Sequence, residues 1–227
     1  PASVFARPGP NDKVNLACIG NANRGGTVTK MVGGKSDVNV VALCDVAKGR
    51  AENMKKKWGK ANNAKVYQDF RKMFDEMGSE IDAVTNGTPD HAHFPISMLA
   101  MSLGKSVYVE KPMAHTFQEC ELMIKASKKY NVATQMGNQG HSSGQYHQFK
   151  AWDEKGVIKN VRHVDAAMNK GRRWHGWGAS CKGYEKGGTA PSDMNWDVWC
   201  GTAPYNDYSK KLDGGKRSRF TSKRLLL

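Results

Sequence analysis

Short apolar runs alternate with longer amphipathic stretches over the first two thirds of the chain. The short runs, at 14–19, 38–44, 65–67, 81–86, 106–110 and 132–136, have the length and β-branched content of buried strands. Helical periodicity fills the gaps: from near Arg24, over 47–58, from an Asp69 cap through Met77, over 94–103, from Thr116 through Lys129, and over 143–155. Thr116 with Glu119 three residues on is a capping-box pair. Strand and helix thus alternate six times with short connections. The pattern predicts an α/β fold, a doubly wound parallel sheet of Rossmann type in the order 3-2-1-4-5-6. The rhythm changes near Gly156. Residues 160–168 read as a longer amphipathic strand, and 169–208 are rich in Gly and Trp with little period. The expected organisation is an arm over 1–12, a dinucleotide-binding domain over 13–142, and the start of an α+β substrate domain with a basic tail over 143–227.

The turn after the first strand carries candidate chemistry. Gly20, Ala22 and Gly25 occupy the places of G-x-G-x-x-G, with Asn23 and Arg24 between the last two. Gly20 allows the sharp turn, a small residue at 22 lets the backbone approach a pyrophosphate, and the helix N-terminus offers free N–H groups to it. Asp45 ends the second strand 20 residues past Gly25, where an acid meets ribose hydroxyls. A carboxylate there repels a 2′-phosphate and favours NAD; Arg50 nearby leaves NADP open. In such sheets ligands sit beyond the carboxyl ends of the strands, so the loops at Gly20, Asp45, Thr88, Glu110 and Gly137 share one edge.

Composition changes this picture little. The chain of 227 residues is 39% hydrophobic and 25% charged, as a globular protein is, and no apolar run is long enough to span a bilayer. The net charge of +14 is concentrated: the last 18 residues hold seven Lys or Arg against one Asp. With no zinc-finger spacing and no RNA-recognition motif, specific nucleic-acid binding is not expected. The five cysteines form no C-x-x-C. Cys18, Cys44 and Cys120 read as buried thiols, while pairing of Cys181 with Cys200 is left open. His91 and His93, two apart beside Asp90, raise the question of a metal, but no third ligand is spaced to complete a site, so none is expected. Trp174, Trp177, Trp196 and Trp199 read equally as a sugar-stacking surface or as the core of the second domain.

Together, IGNANRGG at 19–26, CD at 44–45, TPDHAH at 88–93, VEKP at 109–112, MGNQGH at 136–141 and NWDVWCGTAPY at 195–205 resemble the Gfo/Idh/MocA oxidoreductases. The resemblance implies an NAD(P)-dependent dehydrogenase of a sugar, polyol or related cyclic alcohol, and a homo-oligomer at full length. It implies that Lys111 binds the reacting hydroxyl and the nicotinamide ribose, that Glu110 helps hold that ribose, and that the bond before Pro112 is cis. It further implies that Thr88, Pro89, His91 and His93 line the cofactor groove, that Trp196 covers the nicotinamide end, and that Asn138 and His141 face the substrate. The family's general-base His and neighbouring Asp have no counterpart before Leu227, so the chain reads as C-terminally truncated. Two alternatives follow: a non-catalytic dinucleotide-binding protein, or an NAD-dependent glycoside hydrolase of the same family. A methyltransferase shares the glycine loop and the acid but leaves E-K-P unexplained. The N-terminal arm resembles mature ends left by twin-arginine export, which makes an exported location one expectation and a cytoplasmic one the other.

Overall fold

The computed structural model describes residues 13–165 and 188–208. The N-terminal arm, Trp174, Trp177, Cys181, residues 166–168 of the expected amphipathic strand and the basic tail lie outside the described residues.

Strands β1 (Val14–Ile19), β2 (Val38–Cys44), β3 (Lys65–Tyr67), β4 (Ala83–Asn86), β5 (Ser106–Glu110) and β6 (Thr134–Gly137) form one sheet in the order β3-β2-β1-β4-β5-β6. Every pairing is parallel. The linking helices are α1 (Asn23–Gly33), α2 (Lys48–Lys57), α3 (Phe70–Met77), α4 (His93–Ser102) and α5 (Phe117–Lys129). Successive side chains of a strand point to opposite faces, and the core divides accordingly. Ala17, Ile19, Ala42 and Cys44 pack with Met73, Phe74, Met101 and Met123 from α3, α4 and α5 on one face. Leu16, Cys18, Val40 and Leu43 pack with Ala51 and Met54 of α2 on the other. Because β1 and β2 are covered on both faces, their sequences are near-continuous apolar runs without polar alternation. Removing Met73, fully buried between sheet and helix, would cost about 2–5 kcal/mol.

The expected helix signals act as read. The Asp69 side chain accepts from the Arg71 amide at the start of α3. The Thr116 side chain accepts from the Glu119 amide while the Glu119 carboxylate accepts from the amides of His115 and Thr116. β4 starts two residues later than its apolar run, β6 starts at Thr134, and a 3-10 turn (Asp90–Ala92) leads into α4. Cys18 and Cys44 are buried thiols, but Cys120 is only half-buried, because it lies at the margin of the face that α5 turns to the sheet.

Two departures concern the C-terminal third. Residues 188–208 belong to the same compact unit as the sheet, whereas 138–165 form another, so the stretch 143–227 is not one domain. A bridge joins Ala47 to Met194; the Asn195 amide donates to the Val46 carbonyl at 2.8 Å and the Lys48 amide to the Asp193 carbonyl at 2.9 Å. The short helix α7 (Trp196–Cys200) follows, with Trp196, Trp199, Cys200 and Tyr208 forming a third core cluster. Trp196 and Trp199 therefore serve as core. In the other unit, α6 (Gly144–Glu154) is capped by Ser143, whose hydroxyl accepts from the Tyr146 amide. The expected strand over 160–168 is not formed in its described part, 160–165, where Val161 and Val164 stay 58% and 74% exposed. Its alternation would bury one face only against a partner, and none is paired with it among the described residues.

Candidate functional site

The glycine loop is built by close backbone packing. Gly20 turns out of β1 with φ of +82°, and a Cβ there would lie 2.7 Å from the Gly87 carbonyl carbon. A Cβ on Gly25 would meet the Gly20 carbonyl oxygen and lie 2.7 Å from that of Gly87; one on Gly87 would lie 2.5 Å from the Gly25 Cα. The three backbones therefore touch without side chains between them, and α1 begins directly over the carboxyl ends of β1 and β4. The Gly20 amide donates to Cys44 at 2.8 Å and the Gly87 amide to Ile19 at 2.8 Å, which extends the parallel ladder into the loops. Ala22 is the N-cap of α1 and offers no side-chain acceptor, so the first helical amides stay open to a ligand.

Asp45 is turned inward beside this loop and is 6% exposed. Its Oδ2 accepts from the Asn21 amide at 2.9 Å and its Oδ1 from the Ala47 amide at 3.1 Å. Burial raises its pKa, and the two backbone donors and Arg50 oppose that rise. Asn21 completes the junction: its side-chain amide donates to the carbonyls of Cys44 (2.8 Å) and Cys18 (3.2 Å). It occupies a variable position of the glycine motif, so only the three-dimensional contact reveals its part.

A groove runs along this edge. Gly20, Ala22, Asn23, Arg24, Gly25 and Asp45 form one wall, with Arg50 nearby; Thr88, Pro89 and His91 face it, and Val198 and Trp199 close the α7 end. Of the tryptophans it is Trp199 that lines the groove. Trp196 lies behind it, stacked at 4.3 Å between ring centres, its indole N–H donating to the Asn206 carbonyl. A W-x-x-W spacing on a single helical turn could not tell the two apart from sequence. His91 Nε2 faces the Trp199 carbonyl at 2.6 Å, and a carbonyl only accepts, so Nε2 carries the proton. Burial lowers the pKa of His91, and its Nδ1 is buried without a partner.

The E-K-P segment stands at the end of β5. Glu110 is 4% exposed, and its Oε1 takes the Arg24 guanidinium at 3.0 Å and the Tyr108 hydroxyl at 3.4 Å. The hydrogen bond to Glu110 raises the pKa of Arg24; burial, then Glu110, raises that of Tyr108. Glu110 Oε2 is buried with no partner. The space above this carboxylate exists because residue 137 is glycine: a Cβ there would lie 2.5 Å from Glu110 Oε1. Lys111 is exposed, and the bond from it to Pro112 is cis. Arg24 thus joins the glycine loop to the turn bearing Lys111, while Glu110, Lys111 and Pro112 lie off the groove wall itself.

His93 is not a groove residue. It is 1% exposed, and both ring nitrogens face backbone carbonyls, Nδ1 that of Pro112 and Nε2 that of Thr88. Its place as the first residue of α4, pointing back beneath the loop, removes it from the ligand side. Asn138 follows β6 at the start of the other unit, where the His141 ring lies 4.3 Å from that of Tyr146.

A family model described as an oxidoreductase family with an NAD-binding Rossmann fold, the Gfo/Idh/MocA model, matches residues 14–138. The chain belongs to this family. Inositol 2-dehydrogenase/D-chiro-inositol 3-dehydrogenase of Lactiplantibacillus plantarum is 30% identical over 131 residues, covering 57% of this chain and 36% of that protein. A glycosyl hydrolase family 109 protein of Stenotrophomonas maltophilia is 36% identical over 115 residues, covering 47% of this chain and 25% of that one. The crystal structure of myo-inositol 2-dehydrogenase from Lactobacillus plantarum superposes with a TM-score of 0.58 at 25% identity, over 65% of this chain and 42% of that one. The chain spans well under half the length of these relatives. Among the described residues, no helix is long and apolar enough to cross a membrane.

Proposed function

We propose that the chain serves an NAD-dependent dehydrogenase reaction on a sugar, polyol or related cyclic alcohol. The observation that carries this reading is the tie between two halves of one edge: the glycine loop and Asp45 on one side, and the Lys111 turn held to it by Arg24 and Glu110 on the other. The residues fit a dinucleotide. The open amides of α1 suit a pyrophosphate, and the side-chain-free cradle of Gly20, Gly25 and Gly87 lets it approach. Asp45 has lone pairs left for ribose hydroxyls, and its buried charge favours NAD over a 2′-phosphorylated form. Two orphaned acceptors, Glu110 Oε2 and His91 Nδ1, would be satisfied by ribose or carboxamide donors. Trp199 would form the apolar wall against a ring of the cofactor.

When bound, the nicotinamide supplies the acceptor for hydride from the alcohol carbon. The chain's own part is positioning. Lys111 donates from its ammonium to the reacting hydroxyl oxygen and steadies the negative charge that builds there as the hydroxyl proton passes to solvent water and the hydride to the nicotinamide. Arg24 neutralises Glu110, which leaves the Lys111 charge free for substrate instead of its neighbour. Asn138 and His141 are the proposed substrate contacts. The test is formation of NADH from NAD across a panel of sugars, inositols and other polyols. The reading expects at least one substrate and at least about a hundredfold loss in Lys111→Ala, within the range for a positioned proton-transfer or charge-stabilising group. Turnover undiminished in Lys111→Ala would refute the assignment.

The likeness to the glycosyl hydrolase family 109 protein favours a second reading, hydrolysis of a glycoside through transient oxidation. Release of an aromatic alcohol from an aryl glycoside, dependent on NAD yet without net NADH, would select it over net oxidation.

A further inference from the structure

Asp45 divides the groove. A carboxylate at the end of the second strand takes the hydroxyls of the ribose remote from the reacting ring. The base on that ribose therefore lies beyond Asp45, away from the Lys111 turn at the end of β5. In the sheet order this is the side of β2 and β3, and the groove is lined there by Val46, Gln68 and Phe70. A segment outside the matched residues 14–138 crosses this end. On one bank the Asn195 amide donates to the Val46 carbonyl at 2.8 Å and the Lys48 amide to the Asp193 carbonyl at 2.9 Å. The Gln68 side-chain amide donates to both carbonyls, that of Val46 at 3.1 Å and that of Asp193 at 2.8 Å. On the other bank the Trp199 carbonyl accepts from His91 Nε2 at 2.6 Å, and the two rings lie 4.9 Å apart. Between these anchors the chain is one stiff turn: Asn195 Oδ1 accepts from the Val198 amide at 3.2 Å, and Trp199 stacks on Trp196. Val198 and Trp199 are both buried, and both line the groove.

We infer that residues 193–199 form a strap that makes the adenosine end of the groove blind, with Val198 and Trp199 as the wall that measures the base. The inference rests on the dinucleotide reading given above and adds a specificity to it. Adenine joins its ribose through one of its two rings and carries its exocyclic amine on the other. With the ribose held at Asp45, the amine edge is the one that faces the strap. A bare adenine ends at this wall. A group added on the amine edge meets a turn anchored on both banks and an indole fixed by stacking, which no single side-chain rotation clears. The strap thus selects a bare purine over one enlarged on that edge, whereas an end open to solvent would take both.

The experiment uses the full chain and competition against NADH fluorescence. The competitors are NAD, its etheno derivative, bridged across the amine edge, and NAD alkylated on the exocyclic amine with methyl or benzyl. The etheno form should bind about ten- to a hundredfold more weakly than NAD, the penalty of overpacking a closed site. Trp199→Ala should bring the ratio of the two affinities close to one; a ratio is read because the lost wall also weakens NAD itself. Should Trp199→Ala not fold, the wild-type series carries the same test, with affinity falling from NAD to the methyl and again to the benzyl form. Equal affinity for NAD and every enlarged form would overturn the blind end while leaving the cofactor reading intact. Discrimination that persists in a folded Trp199→Ala would overturn the assignment to the strap. Absence of NADH binding would overturn the cofactor reading, and this inference with it.

Discussion

The contact between Gly87 and Gly25 offers a sharp test of how the groove is built. In Gly87→Ala the new methyl would lie 2.5 Å from the Gly25 Cα, and ordinary contact begins near 3.4 Å, so β4 and the start of α1 must part by about 0.9 Å. The obstacle is backbone, so no side-chain rotation relieves it. Overpacking of this kind costs about 1–3 kcal/mol, and the upper half of that range is expected here. The same displacement carries the first amides of α1 out of hydrogen-bonding reach of a phosphate, and each charge-assisted bond lost is worth about 1.5–3 kcal/mol. NADH affinity should therefore fall by at least about tenfold, since about 1.4 kcal/mol corresponds to a factor of ten. Urea denaturation gives the first quantity and NADH fluorescence titration the second. Gly78→Ala is the control: its backbone is helical and nothing lies within 4 Å of the added methyl. It should be neutral or stabilising by about 0.4–1 kcal/mol. If Gly87→Ala matched wild type in both stability and affinity, the close-packed cradle would be refuted.

Three further expectations follow from named contacts. Thr116→Ala removes the capping box of α5 and should cost about 0.5–2 kcal/mol in urea melts, while NADH affinity stays unchanged because the cap lies outside the groove. Gly137→Ala drives a methyl against Glu110 Oε1 and the Tyr108 hydroxyl; it should displace the carboxylate from Arg24 and weaken NADH binding several-fold, and equal affinity would contradict the assigned packing. Burial raises the Asp45 pKa above its ordinary value of 3.8, so the folded state holds that proton more tightly than the unfolded chain. Its stabilising contribution is full below 3.8 and is lost as pH rises through the folded value. The part of the stability–pH profile that declines above 3.8 should flatten in Asp45→Asn, with NADH affinity reduced; a profile that keeps its decline would exclude Asp45 as the source.

The sheet was legible from sequence because its signals are local. Six apolar runs of strand length, two caps and a glycine turn each declare themselves within a few residues, and right-handed parallel crossovers then leave few orders. The groove was only partly legible. Gly20, Gly25 and Asp45 fall at fixed spacing, and the structure brings them to one wall facing Thr88, Pro89 and His91. Asn21, Gly87 and the Arg24–Glu110 pair carry no such spacing: their partners lie 23, 24 or more residues away and are set by how β1, β2, β4 and β5 abut. His93 looked like a ligand-facing histidine in T-P-D-H-A-H, and only the direction of its ring shows it serving two carbonyls instead. Trp196 and Trp199 differ by a rotation on one short helix, which composition cannot register. Docking of residues 188–208 against the loop that follows β2 escaped the pattern reading because it depends on backbone hydrogen bonds such as Asn195 to Val46.

On the proposed reading, the edge formed by Gly20, Gly25, Asp45 and Thr88 holds a nicotinamide dinucleotide. Titration of the chain with NADH and NADPH, followed by nicotinamide fluorescence, tests it most directly. NADH should bind saturably and NADPH more weakly, and that preference should be lost in Asp45→Ala. No saturable signal with either nucleotide at millimolar concentration would contradict it.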